Sequence, residues 1–206
     1  MAGKSQSNGP RRGTRARMAV WCGALLLFLL PLFAMLATDH VAWSGADFAV
    51  FGALLLGVCV AFELAARQAA HPAYRSAVGA ALAAAFLMVW MNGAVGIIGA
   101  AGDPANLMFG GVLAVGLIGS VMARFKPRGM ARVMIATALA QGAVGVVAVV
   151  GGFGATGRFW PLKILALTAF FTALWLLAAR LFRKAARGAY PVGELPPRGT
   201  TNGPGG

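Results

Sequence analysis

Six apolar stretches alternate with short polar stretches along the chain. A bilayer core of about 30 Å needs roughly 20 apolar residues per helix, and each stretch comes close to or exceeds that length. The boundaries between apolar and polar positions place the predicted spans at residues 18–37, 46–66, 76–101, 104–123, 130–153 and 159–182. The predicted fold is therefore all-α: a polytopic helical membrane protein with six transmembrane helices.

The two ends of the chain differ in composition from the spans between them. Residues 1–17 and 188–206 are polar and rich in glycine, and the second segment is also rich in proline, a composition that favours disorder. We therefore predict disordered cytoplasmic tails at both ends. The six-helix transmembrane domain is predicted to occupy residues 18–187, with the sixth helix extending past its apolar part.

The stretch 90–108, which joins the third and fourth spans, has the most distinctive pattern. Asn92 lies inside the third span. Three glycines follow it at intervals of three: Gly93, Gly96 and Gly99. Small residues let helix backbones approach closely in lipid, so these glycines predict a packing face. Asp103 followed by Pro104 is typical of a helix start, with the aspartate as N-cap and the proline in the first turn.

A second run in the fifth span is similar to this stretch. Residues 92–98 read NGAVGII and residues 141–147 read QGAVGVV. The similarity raises the hypothesis that spans two–three and four–five are copies of one helical hairpin. Gln141 would then be the counterpart of Asn92. Gly142 and Gly145 would form the packing face of the fifth helix.

Asn92 and Gln141 are amides inside predicted spans. An unpaired polar group costs several kcal/mol in lipid, so both should point inward. We predict that they form a hydrogen bond between helices three and five and act as structural glue. The alternative is that the same pair forms a ligand or ion site.

The distribution of charge predicts the orientation in the membrane. The chain is 59% hydrophobic and 11% charged, with a net charge of +13. If the N-terminus is inside, all but two of the 18 lysine and arginine residues fall in tails or inner segments, the exceptions being Arg158 and Lys163. Basic residues are enriched on the cytoplasmic side of membrane proteins. We predict a bacterial inner-membrane protein with both termini in the cytoplasm, and this explanation of the charge leaves no role for nucleic acid.

The end of the sixth span carries a cluster of basic residues at helical spacing. Its members are Arg180, Arg183, Lys184 and Arg187. The spacing i, i+3, i+4, i+7 places all four on one side of a helix. The predicted partner of this basic cluster is the anionic lipid of the inner leaflet, alongside the bilayer itself.

The sequence shows little that could carry out a reaction. It has no G-x-S-x-G, H-E-x-x-H or Walker motif, so we expect no catalytic residues. His40 and His71 fall in loops, where they are poorly placed as axial haem ligands. Cys22 and Cys59 form no C-x-x-C pair. We therefore expect a non-enzymatic protein without a cofactor or a bound metal.

One motif resembles a known group of proteins. The run W-M-N-G-A-V-G-I-I-G followed by P-A-N is similar to a motif of short, uncharacterised bacterial multi-pass membrane proteins. The matching positions are Trp90, Asn92, Ala94, Val95, Gly96, Ile97, Ile98, Gly99, Pro104, Ala105 and Asn106. The resemblance extends loosely from Asp47 to Gln141 and leaves out the tails. It implies the multi-pass architecture and no reaction, because the group has no named activity.

Two functional hypotheses follow. The first is a non-enzymatic inner-membrane protein that acts through packing or assembly, either as a homo-oligomer or with another membrane protein. The second is a small transporter or channel with its polar site between helices three and five. Polar groups that converge on a mid-depth cavity would favour transport, whereas an exposed face of small residues would favour assembly.

Overall fold

A computed structural model describes residues 9–37, 42–68, 71–155 and 159–188. These residues form helices, turns and loops, with no strand among them. The six helices are α1 Gly9–Ala37, α2 Gly45–Gln68, α3 Pro72–Ala94, α4 Met108–Met122, α5 Pro127–Val150 and α6 Leu162–Gly188. A 3-10 turn, Pro104–Leu107, leads into α4. Over the described ranges the predicted all-α fold is confirmed, with six helices long and apolar enough to span a membrane.

The first helix begins earlier than predicted. It starts at Gly9, so residues 9–17, which were placed in the predicted tail, form its first turns. The remaining tail predictions, for residues 1–8 and 189–206, lie outside the described residues. The helix continues through Pro31 without a break in its assignment.

Local polar side chains determine where several helices begin. At the start of α2, Ser44 Oγ accepts a hydrogen bond from the Asp47 amide at 3.3 Å, and Asp47 Oδ2 accepts one from the Ser44 amide at 2.8 Å. This reciprocal arrangement satisfies amides that have no partner inside the helix. At the start of α3, His71 Nδ1 accepts from the Ala73 amide at 3.2 Å, and Pro72 occupies the first helical position.

The helices pack in an order that differs from their order along the chain. Neighbours in space follow the sequence α1, α2, α3, α6, α5, α4, so α6 lies between α3 and α5. Helices α3 and α6 are antiparallel: Tyr74 packs on Phe182 at one end, with ring centroids 5.3 Å apart, and Lys163 contacts Gly96 at the other. The chain-terminal α6 is therefore the central element of the bundle.

Two apolar clusters form the interior. The larger one joins α3, α4, α5 and α6 with the end of α2 and includes Met88, Phe109 and Phe171. The smaller one joins α1, α2 and α3 around Phe51, whose ring centroid lies 4.4 Å from that of Trp90. The remaining helix faces expose large apolar side chains, as expected where lipid takes the place of water.

Candidate functional site

The segment between α3 and α4 folds around the side chain of Asn106. Its Oδ1 accepts hydrogen bonds from the amides of Ile97 at 3.1 Å and Ile98 at 2.9 Å. Its Nδ2 donates to the carbonyl oxygens of Ile98 at 3.0 Å and Ala100 at 2.8 Å. The amide of Asn106 thus takes the place of the helical backbone partners that this segment lacks.

A lysine from α6 binds the same segment from the other side. Lys163 Nζ donates to the carbonyl oxygens of Gly96 at 3.0 Å and Gly99 at 3.3 Å. Meanwhile Ile97 and Ile98 are fully buried. Segment 95–103 is therefore held by one amide and one ammonium group, with two isoleucines inserted into the core. We call this segment the clamped loop.

The clamped loop corrects the predicted third span. The helix ends at Ala94 and not at residue 101, because the following backbone adopts conformations that a right-handed helix excludes. Gly96 has φ +74° and Gly99 has φ +64°, a left-handed region that glycine reaches without steric cost. A Cβ on Gly96 would lie 2.3 Å from the carbonyl oxygen of Ala100.

The prediction of a glycine packing face at positions 93, 96 and 99 is consequently wrong. Gly96 and Gly99 lie in the clamped loop and cannot share a helix face with Asn92. Gly93 does lie in α3, but it is exposed and an added Cβ would meet nothing within 4 Å. These glycines permit a tight bend; they do not bring two helices together.

The helix start predicted at Asp103 and Pro104 is found in the structure as a cap on the 3-10 turn. Asp103 Oδ1 accepts a hydrogen bond from the Ala105 amide at 2.9 Å, and Pro104 occupies the first position of the turn. The aspartate also fits closely against the clamped loop. A Cβ on Gly99 would lie 2.5 Å from Asp103 Oδ2. The cap and the loop therefore form one unit at the end of the bundle where α3 ends.

The predicted hydrogen bond between Asn92 and Gln141 is not formed. Asn92, in the last turn of α3, donates from Nδ2 to the carbonyl oxygen of Met88 at 2.9 Å in its own helix. Gln141 is fully buried in the middle of α5, and neither of its side-chain polar atoms has a partner among the described residues. The two amides differ in depth, and α6 lies between their helices.

Gln141 lies one turn before a close contact between α5 and α6. Gly145, one turn further along α5, packs directly against Thr168 of α6: an added Cβ would lie 2.5 Å from both Cγ2 and Oγ1 of the threonine. Thr168 Oγ1 and Trp175 Nε1, both on α6, also have no hydrogen-bond partner among the described residues. We call these four residues of α5 and α6 the polar seam.

Other buried hydroxyl groups behave differently from Thr168. Thr137 Oγ1 donates to the Val133 carbonyl at 2.9 Å, and Ser120 Oγ donates to the Gly116 carbonyl at 2.6 Å. Each satisfies its hydroxyl within its own helix, a common solution in membranes. Within the part of the chain that the structure describes, buried side-chain polar atoms without a partner therefore occur in the polar seam and at Asn92 Oδ1.

Only one of the two glycines predicted to pack in the fifth helix lies at a close helix contact. Gly145 is buried against Thr168, as described above. Gly142 is half-buried, and an added Cβ there would meet nothing within 4 Å. Gly142 therefore forms no close helix contact within the described residues, and its packing role stays a prediction. Its position differs from that of Gly145 because only one face of α5 meets α6.

An arginine pair surrounds a carboxylate at the opposite end of the bundle. Glu63 of α2 accepts from Arg67 Nε at 2.9 Å and from Arg17 Nε of α1 at 2.7 Å. A second nitrogen of Arg17 also contacts Glu63. Nearby, Tyr74 donates its hydroxyl to the Phe125 carbonyl at 2.7 Å and so ties α3 to the loop before α5.

The basic cluster of α6 projects away from the bundle. All four of its side chains, Arg180, Arg183, Lys184 and Arg187, are exposed. The opposite side of the same turns is buried, with Phe182 fully enclosed against Tyr74. This end of α6 is therefore a docked continuation of the helix, with one apolar face inward and one basic face outward.

The described residues include no group of three or more His, Cys, Asp or Glu side chains that could hold a metal ion. Asn106 and Lys163 organise the end of the bundle where α3 ends, and the sequence pattern did not predict that role for either residue. Asn106 is also a position of the P-A-N motif. One feature of the sequence could have indicated this role: the motif has two isoleucines and an asparagine on either side of a glycine-rich turn.

Comparison of the chain with protein-family models, with curated proteins and with solved structures finds no match.

Proposed function

We propose that the chain is a bacterial inner-membrane protein with both termini in the cytoplasm. What supports this orientation is the position of basic residues in the bundle. Arg17 begins α1 as it enters the membrane, Arg67 ends α2, and Lys126 precedes α5. These positions lie at one end of the bundle, whereas Lys163 lies at the other. Because lysine and arginine are enriched on the cytoplasmic side of membrane proteins, the end that carries most of these residues is proposed to face the cytoplasm.

Cysteine accessibility tests the orientation. In a Cys22→Ser, Cys59→Ser background, Lys126→Cys should react with a membrane-impermeant maleimide only after the inner membrane is opened. The matched control is Ala101→Cys, in the exposed part of the clamped loop, which should react from the periplasm directly. Labelling of Lys126→Cys in intact spheroplasts would contradict the proposal and indicate the opposite orientation.

We propose further that the protein is non-enzymatic and acts through assembly, with a second copy of the chain as partner. The observation that carries this is a row of small residues on α2, Ala53, Gly57 and Ala61, spaced four apart and all exposed. A Cβ on Gly57 would meet nothing within 4 Å, so the chain's own helices leave this row uncovered. Small residues at this spacing allow close helix contact in lipid, where packing drives association.

The assembly proposal is tested by energy transfer between donor- and acceptor-labelled copies in vesicles at decreasing protein density. Gly57→Leu should abolish transfer, because the leucine holds the two backbones apart. Gly111→Leu is the control, since Gly111 is also exposed with nothing within 4 Å but lies on α4. A wild-type chain that shows no transfer at any density, or equal loss in both variants, would overturn the proposal.

The basic cluster of α6 supports a second, lipid partner. Its four exposed cations lie at the proposed cytoplasmic end, where anionic lipid attracts each near-surface charge by about 1 kcal/mol. Replacing all four by glutamine should reduce the enrichment of anionic lipid around the purified protein. Unchanged enrichment would show that the basic cluster does not bind anionic lipid and only helps to set the orientation in the membrane.

The polar seam supports the alternative of a small transporter or channel. Gln141 is fully buried and has no hydrogen-bond partner among the described residues, which is energetically unfavourable inside a membrane. Polar groups in such positions often belong to ligand sites. Gln141→Cys, in the cysteine-free background, should stay unreactive toward a small water-soluble thiol reagent if the protein only assembles. Rapid reaction in the folded protein would show an aqueous path to the polar seam and favour transport.

A further inference from the structure

A cavity of about 220 Å³ lies between α1, α2 and α3. Each helix lines it with four residues at the spacing i, i+3, i+4, i+7, beginning at Val20 in α1, Leu55 in α2 and Gly79 in α3. This spacing is a single helix face, and seven residues of helix extend about 10 Å. The cavity is therefore a slot that runs parallel to the helices, and we call it the apolar slot.

The apolar slot is closed at one end and open at its side. Toward the middle of the bundle it ends at Phe86, which packs on Phe51 with ring centroids 6.0 Å apart. Gly23 and Ala83 line the slot and are exposed, so its side opens toward the surrounding lipid. Its lining is almost entirely apolar, which suits an alkyl chain better than a polar solute.

Two arginines lie next to the other end of the apolar slot. Arg17 is one turn from Val20 on α1, and Arg67 follows Phe62 on α2. Both guanidinium groups bind the single carboxylate of Glu63. A guanidinium group has five N–H donors, so most donors of the pair stay available. The group carries a net charge of +1 at the level where a phospholipid headgroup begins.

We propose that the apolar slot binds one acyl chain of an anionic phospholipid from the cytoplasmic leaflet, with Arg17 and Arg67 holding its phosphate. The slot is parallel to the helices, as acyl chains are, and its length is about a third of the ~30 Å hydrocarbon core. Arginine binds phosphate through paired N–H groups, which supplies the charge complementarity. The inference rests on the membrane orientation proposed above.

Photo-crosslinking tests the occupant. The full chain is reconstituted in vesicles of phosphatidylcholine with phosphatidylglycerol that carries a diazirine in its acyl chain, and crosslinked residues are mapped by mass spectrometry. Crosslinks should be enriched at slot residues such as Leu55 and Phe86 over exposed residues such as Leu117. A uniform distribution over lipid-facing residues would overturn the proposal.

Two variants distinguish lipid bound in the slot from ordinary contact with the surrounding bilayer. Gly23→Leu adds a side chain to the lining of the slot at a position where its Cβ meets nothing within 4 Å, and it should abolish the enrichment. Gly111→Leu, on the exposed face of α4, should leave the enrichment unchanged. Retained enrichment in Gly23→Leu, with thermal unfolding unchanged, would exclude the slot as the binding site.

The contact with the headgroup is tested by a variant that should increase crosslinking. Glu63→Gln removes the carboxylate that competes for both arginines, so crosslinking by phosphatidylglycerol should rise roughly threefold to fivefold at low lipid density. The same diazirine on phosphatidylcholine should respond weakly to this change. Equal crosslinking by the two lipids in the wild type would overturn the anionic specificity.

Failure of the orientation is distinguishable from failure of the slot. Maleimide labelling of Lys126→Cys in spheroplasts reports, independently of the vesicle experiment, which end of the bundle faces the cytoplasm. Reversed labelling would refute the orientation even if slot crosslinks persist. Correct labelling without slot crosslinks would refute only the binding of the acyl chain. Loss of energy transfer in Gly57→Leu affects neither result, because Gly57 does not line the slot.

Discussion

Two buried amides in this protein have opposite surroundings. Asn106 forms four hydrogen bonds with the backbone of the clamped loop, which uses both its oxygen and its nitrogen. Gln141, with the same chemical group, is fully buried and forms none with the described residues. The first amide lies beside a bent backbone, whereas the second lies on the face of a regular helix.

The difference shows where partners for a membrane amide come from. A continuous helix uses its N–H groups internally and its carbonyl oxygens already accept one hydrogen bond each, so it offers few partners to a side chain on a neighbouring helix. A loop that leaves helical geometry has free backbone groups, and a single asparagine can satisfy several of them. The amide at the bend, Asn106, is therefore fully satisfied by backbone groups, whereas Gln141, in the middle of a regular helix, has no backbone partner among the described residues.

The largest expected effect is at Asn106. Asn106→Leu removes four hydrogen bonds and leaves the amides of Ile97 and Ile98 and the Ile98 carbonyl without a partner, whereas the Ala100 carbonyl still accepts from the Asp103 amide. At about 1–3 kcal/mol for each buried group left unsatisfied, unfolding free energy should fall by about 4 kcal/mol or more. Reversible unfolding in mixed micelles measures it. Asn106→Asp keeps the acceptor and should fall between wild type and leucine; a loss under about 1 kcal/mol in Asn106→Leu would break the comparison.

The next effect is at Gly96, on the backbone that Asn106 holds. Gly96→Ala must keep φ at +74° with its Cβ close to the carbonyl oxygen of Ala100, so we expect a loss of about 2–3 kcal/mol. Gly93→Ala is the matched control in the same stretch and should change stability by less than about 0.5 kcal/mol, since its surroundings are open. Equal losses at the two positions would restore the helix-packing interpretation of the glycines.

A smaller effect is expected at Lys163. Lys163→Met keeps the apolar stem and removes the two hydrogen bonds to Gly96 and Gly99. The lysine is exposed, so water can replace it and the loss should be about 1 kcal/mol. Hydrogen exchange should nevertheless increase in segment 95–103 and remain unchanged in α5. Faster exchange spread over the whole bundle would contradict a local role.

The smallest effect, and one of opposite sign, is expected at Gln141. Gln141→Leu removes a buried amide that has no protein partner, so stability should stay within about 0.5 kcal/mol of wild type or rise by up to about 1 kcal/mol. The same unfolding assay compares it directly with Asn106→Leu. A loss above about 2 kcal/mol would show that Gln141 is satisfied in the folded protein and that the two amides do not differ.

The general architecture of the protein follows from the sequence alone. Six apolar stretches of sufficient length predict six helices. In lipid, the backbone N–H and C=O groups of a segment must form hydrogen bonds with each other, and the segment must be long enough to cross the bilayer. The helix start at Asp103 and Pro104 was also readable, since capping depends on neighbouring residues only. The spacing that places Arg180, Arg183, Lys184 and Arg187 on one face is likewise a local property of a helix, and all four are exposed.

Tertiary structure alone decided which polar groups meet. Nothing in the sequence indicates that α6 inserts between α3 and α5, so the expected pair of Asn92 and Gln141 could not be tested before the helices were placed. The length of the third helix was equally hidden, because Asn106, in the next element, supplies the hydrogen bonds that let residues 95–103 leave the helix. Periodicity describes one helix at a time; contacts between helices depend on their order in space, which local patterns do not encode.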